Sequence, residues 1–239
     1  MIITAAVVQK LLTVVDAGLV KGVGVPEPGK MCVEAAVCYA LDLPHGDEPQ
    51  CVTPALRELK IRLNDCEWSS PQARARGLRR LAVAQLGSAG IIDEQEFRHR
   101  IVGYALRSSV ASALRSAASV CTDHKAKAAL LNAATRCESD ATREAALEAR
   151  KTAAAAAAYA AAAAAAYAAA ADAAAADAAA YAAAAAACWA ANAAAVAAAD
   201  ADADAARDKS LAEYAEAVVQ ILIDMKTPGC QWLELTEAA

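Results

Sequence analysis

Between residues 140 and 225 the chain contains neither glycine nor proline. Within that stretch, 153–206 is alanine throughout except for Tyr159, Tyr167, Asp172, Asp177, Tyr181, Cys188, Trp189, Asn192, Val196, Asp200, Asp202 and Asp204. Alanine is the strongest helix former, because it loses no side-chain entropy on ordering. The tract therefore reads as helix. One straight helix of that length would run about 80 Å, whereas a compact body of the whole chain has a radius of gyration of only about 18 Å. A bare rod would expose a continuous apolar surface, so the tract is expected to double back. The aspartates near 172–177 and 200–204 suit turns and caps, and the tyrosines and Trp189 suit wider gaps. Membrane crossing is not expected. Alanine is nearly neutral for insertion, and an aspartate at mid-bilayer costs about 2.5–3.5 kcal/mol.

The front half carries helix punctuation. Apolar residues at 7, 8, 11, 12, 14 and 15 predict a helix over 4–16 that stops at Gly18. Pro28-Gly29 suits the middle of a type II turn. A nearly all-apolar helix is expected over 31–41 and is read as buried. Thr53-Pro54 suits a cap and first turn for a helix to about residue 65. In "WSSPQARARGLRRLAVAQLGS" Ser70 caps, Pro71 starts the helix and Gly87 closes it. Asp93 with Glu96 has the capping-box spacing, and that helix is read as continuing through "RHRIVGYALRSSVASALRSAASV". Further helices are expected over 123–137 and in "RDKSLAEYAEAVVQILIDMK", followed by a tail, "CQWLEL", that docks back.

Charge and cysteine usage exclude several classes. The net charge is −5 and the pI about 5.3, which argues against a general nucleic-acid binder needing a basic face. Hydrophobic content is 58%, but aromatics are only 4% with a single Phe, so large core anchors are scarce. Eight cysteines show no tight repeated spacing, and cysteines in apolar helices behave as small apolar residues. The start, "MIITAAVVQKLLTVVDAG", lacks the basic lead of a secretory signal. A reducing cytoplasm is expected, and with it no disulfides.

Chemistry-bearing residues crowd the stretch 29–51, "GKMCVEAAVCYALDLPHGDEPQC". Cys32 sits at a helix start, where the dipole lowers a thiol pKa. His45 would serve as base, and Asn64 or Asp65 would orient it. Against this, the plainer and preferred reading makes Cys32 and Cys38 core residues and His45 a loop residue. A metal set of Cys32, Cys38, His45 and Cys51, with Cys66 as a further ligand, has gaps of five and six where structural zinc prefers tight pairs; no metal and no cofactor are expected. The basic residues Arg57, Lys60, Arg62, Arg74, Arg76, Arg79 and Arg80 could bind phosphate, though a solvated face paired with acids is the commoner arrangement. The expected ligand contacts are Arg76, Arg80, Arg74, Lys60, His45 and Trp68. An ice-binding surface is set aside, because 153–206 holds no threonine.

The blocks "GKMCVEAAVCYALDLPHGD", "LKIRLNDCEWSS", "ARARGLRRLAVAQLGS" and "PGCQWLEL" resemble a group of phage and bacterial proteins that share them in the same order before an Ala/Tyr/Asp-rich tract. The tract is also similar to Ala- and Tyr-rich sequences labelled immunity proteins. The resemblance implies a setting of phage–host or bacterial conflict, and it carries no activity and no functional residue.

The fold is expected to be all-α, with a helical part over 1–139 and an Ala-rich part over 140–239, or one single domain. The expected function is non-enzymatic: an anti-defence or immunity-type protein that sequesters a small anionic, nucleotide-like ligand or blocks a partner protein. A cysteine-dependent enzyme using Cys32, His45 and Asp65 is the alternative. A structural protein pairing with its own copies through alanine faces is a third reading.

Overall fold

The structure is a computed structural model, and it describes residues 3–156, 162, 165, 166, 176–198 and 202–237. Ten α-helices are present among them, with no strand. The only pairing of extended backbone described is an isolated antiparallel bridge between Gly24 and Met31. The all-α architecture holds.

Helix α1 (Ala5–Asp16) buries Val8, Leu11, Leu12, Val14 and Val15 and ends before Gly18, whose φ is +114°. In the loop that follows, the Lys30 amide donates to the Glu27 carbonyl at 2.9 Å and Gly29 has φ +80°. That is the type II turn Pro28-Gly29 implies. Helix α2 (Val33–Ala40) is buried almost throughout. Helix α3 (Pro54–Asn64) follows, but Thr53 does not cap it with its side chain; its hydroxyl donates to Glu94 instead. Helix α4 (Pro71–Ala84) is capped by Ser70, whose Oγ accepts from Ala73 N at 3.0 Å.

Helix α5 (Glu94–Tyr104) runs through a π-helical segment, Ala105–Val110, into α6 (Ala111–Val120). Asp93 caps α5 by accepting from Glu96 N at 2.9 Å. Glu96 does not complete the box: its carboxylate takes Arg100 Nε at 2.6 Å. Helices α7 (His124–Asp140) and α8 (Arg143–Ala155) form a hairpin at Ala141, which adopts a left-handed φ of +49°.

The Ala-rich helix α9 (Ala176–Ala197) packs against α3, α5, α6 and α10 (Ala203–Asp224). Its methyl faces are covered by this chain: Ala179, Ala180, Ala183, Ala184, Ala186 and Ala191 are all buried. The segment Asp177–Ala197 is long and apolar enough to cross a membrane, and 72% of the 18-residue apolar window within it lies inside the fold. One apolar cluster runs from Val8 to Leu233 through both parts of the chain. Tyr181 departs from the gap-filling role expected of it, since it is 40% exposed with the Arg62 guanidinium 5.7 Å above its ring. Tyr159, Tyr167, Asp172 and Asp200 lie outside the described residues.

The tail docks on α4. A 3₁₀ segment, Pro228–Thr236, is seated by Gly229, whose amide donates to Leu86 O at 2.8 Å. A Cβ there would stand 2.2 Å from the Val83 carbonyl oxygen, so only glycine permits this approach.

One expectation is overturned. Cys66 and Cys188 form a disulfide, with Cα atoms 5.6 Å apart across 122 residues of sequence. Sequence spacing carries no trace of it because the two cysteines meet only once α9 docks beside the end of α3.

Candidate ligand cleft beside a buried ion pair

The end of α3 organises this region. Asn64 Nδ2 donates to Val20 O at 2.9 Å, and its Oδ1 accepts from Val33 N at 3.3 Å. Asp65 Oδ1 accepts from Gly22 N at 2.9 Å and from Asn64 Nδ2 at 3.0 Å. These bonds press the 20–31 loop onto α2 and α3. Gly24 is required in that loop: it has φ +73°, and a Cβ would fall 2.0 Å from Lys30 O.

Behind the loop, Lys60 Nζ of α3 faces Glu34 Oε1 of α2 at 3.3 Å, and both side chains are 0% exposed. The approach lies off the line of a hydrogen bond, and among the described residues neither Glu34 oxygen nor the Lys60 amine has a hydrogen-bond partner. Burial pushes the Glu34 carboxyl up, with Lys60 opposing, and pushes the Lys60 amine down, with Glu34 opposing. Burial thus disfavours the charged form of each group, and the partner's opposite charge restrains that shift.

The thiols beside this pair are not activated. Burial raises Cys32 to about 11 against the lowering effect of the Ala35 amide. Burial also raises Cys38 to about 11, with Glu34 adding to it, and it pushes Cys51 up.

One small cavity borders Glu34, and two larger clefts connect to it through shared lining residues. The small one, of about 50 Å³, is lined by Cys32, Glu34, Asp47, Asn64 and Asp65 among others. A cleft of about 430 Å³ is formed by Cys38, Leu43, His45, Asp47, Glu48 and Gln50 with the Pro44 and Gly46 backbone. A neighbouring cleft of about 550 Å³ includes Gln50, Cys51, Ile3, Ile91, Pro228 and Gln231. Asp47 is common to the first two and Gln50 to the last two. Asp47 and Glu48 are the formally charged groups lining the middle cleft, and no lysine or arginine is among its described lining residues. His45 Nε2 lies 3.0 Å from Gly24 O. A carbonyl only accepts, so Nε2 carries a proton and donates it to Gly24 O.

The expected ligand contacts do not converge. His45 lines the cleft, whereas Lys60 is not among its described lining residues and is fully buried with Glu34. Arg74 is buried at the α3–α4 junction, donating from Nε to Asn64 O at 2.8 Å and from Nη1 to Leu19 O at 2.9 Å. Trp68 is buried beside it, with Nε1 donating to Leu63 O at 3.1 Å. Arg80 pairs with Glu216 at 3.0 Å and Glu237 at 3.6 Å, and Arg79 with Asp16 at 2.7 Å. Arg76 is exposed on α4. Apart from Arg76, the arginines singled out on α4 spend their donors holding helices and tail together.

The Cys32–His45–Asp65 arrangement is not assembled. Cys32 Sγ accepts from Ala35 N at 3.3 Å as the cap of α2. The Asp65 carboxylate is taken by Gly22 and Asn64, and the His45 Nε2 proton by Gly24. Cys32, Cys38, His45 and Cys51 do not form a ligand set either. No group of three or more His, Cys, Asp or Glu among the described residues is placed to hold a metal ion.

Sequence reasoning missed the Glu34–Lys60 pair. Its trace is a glutamate inside the otherwise apolar "VEAAVCYA" and a lysine inside the stripe of Leu56, Leu59 and Leu63. No family model, no curated protein and no solved structure matches the chain.

Proposed function

We propose that the chain is a non-enzymatic binding protein that sequesters a small ligand in the cleft around His45, Asp47, Glu48 and Gln50. The volume of about 430 Å³ lies in the range of small-molecule sites. The setting of phage–host or bacterial conflict implied by the sequence blocks fits a sequestering role, and a cytoplasmic location goes with it.

The carrying observation is the lining. Two carboxylates, Asp47 and Glu48, line a cleft with no lysine or arginine among its described lining residues; Glu48 has Arg57 Nη1 3.9 Å away outside the lining, which leaves Asp47 as the carboxylate open to a ligand. Such a surface complements a ligand with cationic or hydrogen-bond-donating groups, such as a primary amine. An anionic, nucleotide-like ligand would instead need the α4 arginines, most of which are engaged inside the fold. The non-enzymatic character is supported by the thiols. At about 11, Cys32 and Cys38 are thiolate in about one molecule in ten thousand near neutral pH.

Thermal denaturation across two panels tests this reading, one of amines (butylamine, spermidine) and one of nucleotides and cyclic dinucleotides. A ligand at a hundred times its dissociation constant adds about 2.7 kcal/mol, which raises Tm by roughly 5–10 °C for a chain of this size. An amine is expected to give that rise in the wild type and to lose it in Asp47→Asn. A rise with a nucleotide that disappears in Arg76→Ala would overturn the cleft reading in favour of an anion site on α4.

A further inference from the structure

The disulfide between Cys66 and Cys188 joins the end of α3 to the middle of α9, across 122 residues of sequence. The side chains of α9 explain why a covalent link matters there. Of its larger residues, Tyr181 is 40% exposed and Val196 73% exposed, and Trp189 packs against the core only part-buried. The rest of its buried surface is mostly alanine methyls, which bury little area each. Cys188 stands where another core helix would carry a leucine or phenylalanine.

Both sulfurs also approach one acceptor, the Arg62 carbonyl, at 3.5 Å from Cys66 and 3.9 Å from Cys188. The Arg62 carbonyl therefore offers an acceptor to a thiol freed on reduction, once the two side chains rotate their sulfurs apart. Cys66 and Cys188 are 4% and 6% exposed, so an exchange reagent reaches them only when α9 loosens. Competing thiols are scarce. Cys32, Cys38, Cys51 and Cys137 are buried in the core, and of the six free cysteines only Cys121 and Cys230 are partly accessible.

We infer that Cys66 and Cys188 form a redox-responsive latch that fastens the Ala-rich helix α9 to α3 under oxidising conditions and releases it to non-covalent packing under reducing ones. The oxidant is a small disulfide, RSSR. One protein thiolate attacks it, forming a mixed disulfide and expelling RS⁻. The second protein thiolate attacks the mixed disulfide at the protein sulfur and expels the second RS⁻. The two protons lost by the protein thiols end on the two RSH products, and two electrons pass from protein to RSSR. A reducing cytosol keeps the pair open, so the latch closes when the small-disulfide pool rises.

The test uses the full chain poised with oxidised glutathione or with a phosphine reductant. After alkylation and trypsin digestion without reduction, peptide 63–74 should be found linked to peptide 152–207, the two that contain Cys66 and Cys188. Closing a loop of this length is expected to raise Tm by about 10 °C in the oxidised sample and to slow elastase cleavage within α9. Cys66→Ser and Cys188→Ser should each melt like the reduced wild type in both buffers, while Cys121→Ser should behave as wild type. Absence of the linked peptide under oxidising conditions, or equal Tm and equal elastase rates in the two buffers for the wild type, would overturn the latch. The wild-type comparison decides the matter even where a variant folds poorly.

Discussion

Lys60 Nζ and Glu34 Oε1 face each other at 3.3 Å, and no part of either side chain reaches solvent. Two opposite charges buried together gain little net stability, since desolvation offsets most of their attraction. Removing one of them is a different matter, because it strands the other. Lys60→Met or Glu34→Leu alone should cost about 3–5 kcal/mol in urea unfolding, while the double replacement should fall within about 1 kcal/mol of wild type or exceed it. Additive losses in the double variant would show that the two side chains act independently.

The same pair sets a pH signature. Burial raises the Glu34 carboxyl, and Lys60 restrains that rise. A carboxyl with a raised folded value contributes stability below its unfolded value of about 4.3 and loses it as pH climbs toward the folded value. Lys60→Met removes the restraint, so the window widens upward. The deficit of that variant against wild type should therefore be smaller at about pH 5 than at about pH 8. An equal deficit at both would mean that Glu34 is already rehydrated in the variant.

Thiol chemistry offers a second readout. Cys32, Cys38, Cys137 and Cys230 are each pushed by burial to about 11. A group raised in the folded state stabilises below its unfolded value, about 8.5 for a thiol, and that stability is lost as pH rises toward the folded one. The urea midpoint should consequently drop between about pH 8.5 and 10.5. An aromatic disulfide reagent near neutral pH should label Cys121 rapidly in the native protein and all six free thiols only after unfolding. Fast labelling of Cys32 in the native state would reopen the enzyme reading.

Gly77 lies against the Trp68 ring: a Cβ there would stand 2.3 Å from Cη2. The indole is held by its Nε1 bond to Leu63 O at 3.1 Å, so the ring has little room to yield. Gly77→Ala should destabilise by about 1–3 kcal/mol and shift tryptophan emission to the red. Wild-type stability and unchanged emission would mean that the α3–α4 junction is looser than this contact implies.

Local signals were legible and distant meetings were not. Ser70-Pro71 and Asp93 announce helix starts because capping is chemistry within four residues. The turn at Pro28-Gly29 is legible for the same reason. Thr53 misled because Glu94, 41 positions on, captures its hydroxyl. The doubled-back alanine tract followed from length against compactness, but which helices cover α9 did not, since alanine faces look alike. The arginines of α4 read as an anion site only until their acceptors, Asp16, Glu216 and the Leu19 and Asn64 carbonyls, come from other elements. The cleft residues His45, Asp47, Glu48 and Gln50 sit in one loop, yet nothing in their order reveals that Asn64 and Asp65 hold the facing loop in place.

Where a ligand docks decides between the His45–Gln50 cleft and the arginines of α4. Amide chemical shifts followed while spermidine is added, in wild type and in Asp47→Asn, measure this directly. The cleft reading expects saturable shifts confined to residues 43–50 and their neighbours in the wild type and none in Asp47→Asn. Shifts centred on Arg76 and α4 upon adding a nucleotide, with residues 43–50 unmoved by the amine, would contradict it.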